Sequence, residues 1–448
     1  MSAQISYAAG QAARKGVPRS SHAEAKFAAD RDPVATIREE NAARIQLLVP
    51  LRNQRMSRSP FAFLRGTARV MAADLALAPA TGRIVQACGD CHLANFGLFA
   101  TPERNVIFDL NDFDETLPAA WEWDVKRLAT SSVLAALEVG ASQKLAHEIA
   151  LKTVQSYRLQ MRRLMATSPL QIWFMRVDAQ VFLSVLDPAQ ARSIQRRQLD
   201  AAARGEHVPP ALVAGRSGKL RFVEDPPVLQ HLPHNDPLRG RAREALRKYT
   251  GTLRDDVRVL FNRYHLRDAA LRVVGIGSVG THCAIALFQA GPDDALVLQL
   301  KQANASVLEP YAGPSTYPNH GRRVAAGQRL MQAASDLFLG WLEIEGGQDY
   351  VVRRYRDRKA NANLERLGLR ELAQYGALCA ETLAVAHARS GDPAFIAGYL
   401  GQRDSFERAV AEYAAGYAAQ TQRDHAAFVT SLKEASISAC VLPQSSLP

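Results

Sequence analysis

The sequence predicts an α+β protein, with a mostly helical large lobe and a small antiparallel-sheet lobe placed late in the chain. Three observations carry that expectation. Ala-rich stretches with apolar residues at helical spacing occupy 121–165 and 364–432. Short apolar runs of period-two character cluster between 267 and 355. Two further apolar runs, at Ile84 and at 106–108, each lead into carboxylates.

At 448 residues the chain is long enough for two or three domain-sized units. Its 47% hydrophobic and 22% charged content is that of a soluble globular protein. No run approaches the roughly 18 apolar residues of a membrane span, so no membrane partner is expected. The opening MSAQISYAAGQAARKG lacks the apolar region of a signal peptide, and a cytoplasmic location is the expectation. Five scattered cysteines, an odd number, argue for reduced thiols over a disulfide framework. A net charge of +11 favours an anionic partner such as nucleotide or phosphate. The basic residues are spread and not interleaved with aromatics, so a solvated basic surface outweighs nucleic-acid binding.

Residues 1–60 read as a polar, basic arm, partly helical and partly extended. A helix starts at Pro33, because proline is pre-organised for a first turn. The stretch 61–77 has helical spacing interrupted at Arg65 and Gly66, and Pro79 and Gly82 punctuate before the strand at Ile84. Past the acidic cluster, helices are predicted from Trp121 to about 204, completing a helical lobe over 61–264. Residues 205–240 are rich in Pro, Gly and charge and read as a linker. A sheet lobe spans 265–357, with strands at 271–280, 284–288, 295–301, 338–343 and 349–355 and a helix at 322–337. Helices of 358–435 complete the large lobe, and the tail 436–448 is expected to fray.

Two constellations carry chemistry. The first is Gly275-x-Gly277-Ser278-x-Gly280 after an apolar strand. In a dinucleotide-binding unit this turns into a helix whose N-terminus holds a pyrophosphate. In a kinase-type nucleotide fold it is a hairpin whose backbone N–H groups cover phosphates. The residues after Gly280 favour the hairpin: THCAIALF reads as a strand, and ALVLQLK is a third strand ending in Lys301. That lysine stands where a dinucleotide site needs an acid and a kinase needs its phosphate-pairing lysine. Glu309 is the nearest candidate for its carboxylate partner, although the 322–337 helix offers only Asp336.

The second constellation is Asp90-x-x-x-x-Asn95, then a turn, the strand 106–108 and Asp109. A kinase catalytic loop spaces its base Asp and metal-binding Asn in this way and continues into a strand and a second metal acid. Mg²⁺ prefers such hard oxygen ligands together with phosphates. Asp109, directly after the strand, ranks first for the second ligand, and Asp112 stays beside it. Asp124, directly after Trp121-Glu122-Trp123 and ahead of Arg127, is a candidate for anchoring the loop backbone, with a helix cap or a salt bridge to Arg127 as equal alternatives. Cys88-x-x-Cys91-His92 spells a c-type haem attachment motif. Nothing else supports a haem, and no second Cys/His pair supports zinc.

The catalytic-type loop precedes the glycine loop, the reverse of kinase order, so the two fit one fold only as a circular permutation. In that arrangement 356–368 is the hinge and 369–390 packs behind the catalytic loop. The runs RMSRSPFAFLRG, GDCHLANFG, FDLNDFDETLP, WEWDVKRLATS, VVGIGSVGTHC, LQLKQA and GQRLMQAASDLFLG together resemble the bacterial domain-of-unknown-function family 2252, over roughly 12–430. Separately, GDCHLANFG followed by VIFDLND resembles the aminoglycoside phosphotransferases over about 30 residues. This likeness implies Asp90 as base and Asn95 and Asp109 as metal ligands. The expectation is therefore a permuted, protein-kinase-like fold that binds ATP and Mg²⁺ and transfers a phosphoryl or, second, a nucleotidyl group to an unknown small-molecule or protein acceptor. The alternatives are a nucleotide-binding pseudokinase acting as a regulatory module and an NAD(P)-dependent oxidoreductase.

Overall fold

In a computed structural model of the chain, residues 2–203, 212–215, 220–232, 238, 241–273, 275–291, 294–344, 346–355 and 360–441 are described. Ahead of the first strand come the helices Ala3–Ala13, Pro33–Ala42, Val49–Met56, Pro60–Leu64 and Ala68–Ala76. Three of them begin on a side-chain cap, with Ser2, Asp32 and Ser59 accepting the N–H groups of Ile5, Ala35 and Ala62. Each cap satisfies a donor that the first helical turn would otherwise leave open. Proline follows Asp32 and Ser59, and the start at Pro33 is the one the sequence led one to expect.

The largest hydrophobic core is helical. Trp121–Glu138, Gln143–Met165, Leu369–Ser390, Pro393–Leu400 and Ser405–Val441 pack around it. Trp121 stacks on Tyr157 with ring centroids 5.8 Å apart, and both rings are buried. Two small antiparallel sheets lie on this core. Ile84–Ala87 pairs with Leu117–Ala120, and Phe96–Ala100 pairs with Val106–Leu110, which also meets Val177–Asp178. Phe96–Ala100 is a strand that the sequence reading did not separate from the loop before it.

The second body is a six-stranded antiparallel sheet in the order Gly340–Ile344, Gln348–Arg354, Asp294–Ala303, Cys283–Gly291, His265–Arg272, Leu229–His231. The period-two pattern of AIALF is resolved here. Ala284, Ala286 and Phe288 face a cluster with Tyr249 and Phe261, while Ile285 and Leu287 face a second cluster with Val213 and Phe222. Helices Ala242–Thr250 and Asp255–Phe261 contribute to the first face, so the central strands are apolar on both sides. The chain is thus α+β with antiparallel sheets.

Several boundaries differ from the sequence reading. The strand expected over 271–280 is His265–Arg272, because Gly275 and Gly280 take positive φ (71° and 87°) and break the ladder. The helix expected over 322–337 is His320–Met331, started by an Asn319 cap. Within the expected linker 205–240, Leu229–His231 joins the sheet edge beside His265–Arg272. The rest of that linker is described only at 212–215, 220–232 and 238. The last helix continues to Val441, past the expected start of the tail. Residues 356–359 of the expected hinge and 442–448 of the tail lie outside the described residues. Among the described residues no helix is long and apolar enough to cross a membrane.

Lys126 is an exception inside the helical core. It is fully buried, and its Nζ lies 4.5 Å from the centre of the Tyr413 ring with no hydrogen-bond partner among the described residues. Burial lowers its pKa from the usual 10.5 to about 8, opposed by Glu122 one turn earlier. The unfolded chain holds this proton more tightly than the folded one. Stability therefore rises with pH from about 8 to 10.5, and the full penalty is present at pH 7. Lys126→Met is expected to raise the unfolding free energy at pH 7 by about 1–3 kcal/mol and to remove that slope, the ring contact offsetting part of the gain. Urea unfolding at pH 7 and pH 9.5 measures both.

Candidate functional site

The turn after Ile84–Ala87 is held by one carboxylate. Asp124, in the first turn of Trp121–Glu138, accepts the N–H of Cys88 at 2.6 Å and of Gly89 at 3.0 Å. Its Oδ2 also meets His387 Nε2 at 3.1 Å, and His387 Nδ1 meets the Tyr157 hydroxyl at 2.9 Å. Gly89 has φ +82°, and a Cβ there would lie 2.4 Å from the Glu115 carbonyl oxygen, so a side chain is excluded. His387 is fully buried in this network, a structural role. The loop is fixed from behind as well, since the Tyr375 hydroxyl donates to the carbonyls of Leu93 (3.0 Å) and Phe96 (3.2 Å). Tyr375 belongs to Leu369–Ser390, the helix expected at that place.

This scaffold presents Asp90 and Asn95. Arg127, one turn after Asp124, donates Nε to Asp90 Oδ1 at 2.7 Å and makes a second, shorter ion pair through Nη2. Burial pushes the Asp90 carboxyl up to about 6, with Arg127 pulling the other way. Asn95 donates Nδ2 to the Asp90 carbonyl at 2.6 Å, closing the five-residue turn on itself. The Asn95 carbonyl accepts the N–H of Asn111 at 2.8 Å, which brings the acid loop 111–116 alongside.

In that loop Asp112 and Asp114 face Lys301. The lysine Nζ lies 3.4 Å from Asp112 and makes a closer ion pair with Asp114. Burial opposes the charge on Lys301, but the two carboxylates outweigh it and hold its pKa above the ordinary value. Burial raises the Asp114 carboxyl and takes Glu115 to about 7. Glu115 accepts the N–H of Val307 at 2.8 Å, which links the acid loop to the segment after the Lys301 strand.

A cavity of about 600 Å³ opens between the helical core and the sheet. Asp90, Asn95, Asp112, Asp114 and Glu115 line one side, and Gly275, Gly277 and Ser278 line the other. Gly280 lies at the end of the same turn, its carbonyl accepting the Ile45 N–H at 2.8 Å. The glycine turn joins two antiparallel strands, His265–Arg272 and Cys283–Gly291. A strand, where a dinucleotide-binding unit needs a helix, therefore comes after Gly280.

Two expected site residues lie away from the partners expected for them. Asp109 does not reach the cavity. It is buried, accepting the N–H of Leu110 at 2.8 Å and of Ala333 at 2.9 Å, and borders a smaller cavity with Arg389. The cause is strand alternation: Asp109 lies opposite Gly97 within Val106–Leu110, while Asp112 lies past the strand end and turns back. Glu309 does not meet Lys301. Ser306 and Val307 are drawn to Glu115, so Glu309 folds onto the Ser306 N–H (3.1 Å) and lies 3.7 Å from His320 and 4.0 Å from Arg323.

The oxygen donors fit Mg²⁺ in kind. Asp112 is about one-third exposed in the cavity beside Asn95, and Mg²⁺ typically takes one or two carboxylates and completes its shell with water and phosphate. Among the described residues no group of three or more His, Cys, Asp or Glu side chains forms a metal cage. Sequence reasoning missed Arg44 and Arg65, which also line the cavity. The only signal for Arg65 was its break in helical spacing before Gly66.

Fold and site together define an α+β protein with an acid-lined cleft between a helical core and an antiparallel sheet. The chain belongs to the bacterial family described as "Uncharacterized protein conserved in bacteria (DUF2252)", whose model matches residues 44–431. No curated protein and no solved structure matches it.

Removing the Asp124 carboxylate strands the buried Cys88 N–H, the half-buried Gly89 N–H and the His387 ring. Asp124→Ala is expected to cost about 3–5 kcal/mol of stability, measurable by denaturant unfolding. His387→Ala in the same background should then cost much less than it does alone.

Proposed function

We propose that the protein is an ATP- and Mg²⁺-dependent phosphotransferase with a circularly permuted, protein-kinase-like arrangement, acting in the cytoplasm on a hydroxyl-bearing acceptor. One observation carries this reading: Asp90, Asn95, Asp112 and the glycine turn, far apart in sequence, line a single cavity. The supporting geometry is the hairpin form of the glycine turn, with Lys301 two strands on and ion-paired to the acid loop.

In this reading the acceptor hydroxyl lies against Asp90. Its oxygen forms a bond to the γ-phosphorus as the bond to the bridging oxygen breaks, and its proton passes to the Asp90 carboxylate. The nucleoside diphosphate leaves. Arg127 orients Asp90, and the 275–278 turn covers the phosphates. Lys301 positions Asp112 and Asp114 and adds positive charge at the phosphate side. Asn95 and Asp112 would hold Mg²⁺, which supplies charge neutralisation on the phosphate oxygens. Asp109 serves the fold.

A second reading, a nucleotide-binding module without turnover, is favoured by the ion pairs that already engage Asp90 and Lys301. The two separate in one experiment. Thermal-shift measurements with ATP, GTP, NAD and NADP, with and without Mg²⁺, are expected to give stabilisation by Mg-ATP and none by NAD(P). Nucleotide hydrolysis should fall by about 10²–10⁴-fold in Asp90→Ala with Mg-ATP binding retained. Tight binding without turnover in the wild type supports the module. Stabilisation by NAD(P) alone, or by no nucleotide, refutes both.

A further inference from the structure

Two guanidinium groups in the cavity are not accounted for by the roles above. Arg44 and Arg65 both line it, and the Nε of each is buried without a hydrogen-bond partner. The arginines around them are committed. Arg127 binds Asp90 and the Leu64 carbonyl, Arg69 binds Glu39, and Arg52 binds Asn41, Glu40 and the Gly66 carbonyl. Arg44 spends one nitrogen, Nη1, on the Val279 carbonyl at 2.7 Å. The Arg65 side chain makes no hydrogen bond or ion pair among the described residues. Asp90, Asp112 and Glu138 attract it from a distance, as Glu40, Glu115 and Asp114 attract Arg44.

The glycine turn is shaped around the same two residues. A Cβ on Gly277 would lie 3.0 Å from the Arg65 carbonyl oxygen, and one on Gly280 would lie 3.0 Å from the Arg44 Cβ. Two of the three glycines are thus the places where the turn presses onto Arg65 and Arg44. The Arg65 backbone is held in turn, because the preceding Leu64 carbonyl is bound by Arg127, which also grips Asp90. A rigid segment therefore carries an unsatisfied planar donor into an open cavity, directly under the turn and beside the acid loop.

The Arg65 fork stands at the cavity wall with no acceptor among the described residues, and guanidinium forks match the spacing of phosphate oxygens. We propose that Arg44 and Arg65 form an anion clamp beneath the glycine turn, which takes the phosphate oxygens of a polyphosphate chain. Its ligand class is a linear di- or triphosphate, with Arg65 supplying the unoccupied fork and Arg44 closing from the arm. The identity of that chain as a nucleotide rests on the phosphotransferase reading; the anion site itself does not.

Calorimetry on the full chain tests the clamp with two probes, magnesium tripolyphosphate and Mg-ATP. The wild type is expected to bind both. Arg65→Met should weaken each by about tenfold or more, the loss of charged hydrogen bonds to phosphate. Its melting temperature should not fall, because no intramolecular partner of the side chain is lost. Arg65→Lys should recover part of the affinity. Arg44→Met should weaken binding as well, with some loss of stability through Val279. The clamp is overturned if the wild type does not bind tripolyphosphate, if Arg65→Met binds it unchanged, or if Arg65→Met melts well below the wild type. Tripolyphosphate carries no base or sugar. Binding of it without binding of ATP would leave the clamp standing and remove the nucleotide reading.

Discussion

Asp124 ties the turn after Ile84–Ala87, its own helix and a late helix together. Its carboxylate closes the turn after Ile84–Ala87 by taking two successive N–H groups, and it reaches His387 on a helix distant in sequence. The Cys88 N–H is buried and the Gly89 N–H half-buried, so each needs an acceptor within the fold. The same helix presents Arg127 one turn on, and residues three apart share a helix face. Asp124 thus fixes the backbone at 88–89 while Arg127 fixes the side chain at 90, from a single rigid element. The position of Asp90 in the cavity results from that pairing.

The acid loop is the seam between the two bodies, and apart from the buried Phe113 its side chains are polar. Arg323, buried on His320–Met331, donates to the carbonyls of Thr116 at 2.6 Å and of Asp114 and Asn304 at 2.8 Å. Ser306 and Val307 hold Glu115, Arg353 donates to the Asn111 carbonyl at 3.2 Å, and Lys301 faces Asp112 and Asp114. An apolar interface would have buried this loop without leaving any carboxylate open. A charged seam leaves Asp112 and Asp114 balanced by Lys301 while their oxygens border the cavity. Breaking one partner of such a buried network costs far more than the network contributes as a whole, so its members act together.

The arm 33–57 is part of the same assembly. Arg55 donates to the Gly275 carbonyl at 2.6 Å, Arg44 to that of Val279, and the Ile45 N–H to that of Gly280. The glycine turn is therefore gripped through its carbonyls by the helical side. The family match beginning at residue 44 takes Arg44 and Arg55 in with the sheet they hold.

Much of the fold was legible along the chain because its signals are local. Pro33 marked a helix start, the apolar run AIALF marked a strand, and Asp90 and Asn95 with the strand 106–108 behind them marked a loop carrying both side chains. Asp124 was readable as an anchor because a carboxylate directly after Trp123, at the start of an apolar helix, must be satisfied within the core. The outcome at Asp109 and Asp112 was not readable. Both come after the same apolar run, and only pairing with Phe96–Ala100 decides which face each carboxylate takes. Glu309 failed for a related reason: its local N–H partner and the pull of Glu115 on Ser306 outweigh any attraction to Lys301. Arg44 and Arg65 look in sequence like ordinary basic residues of a +11 chain. That Arg65 meets no acceptor among the described residues, and Arg44 only the Val279 carbonyl, is a property of what surrounds them, and only the tertiary structure supplies the surroundings.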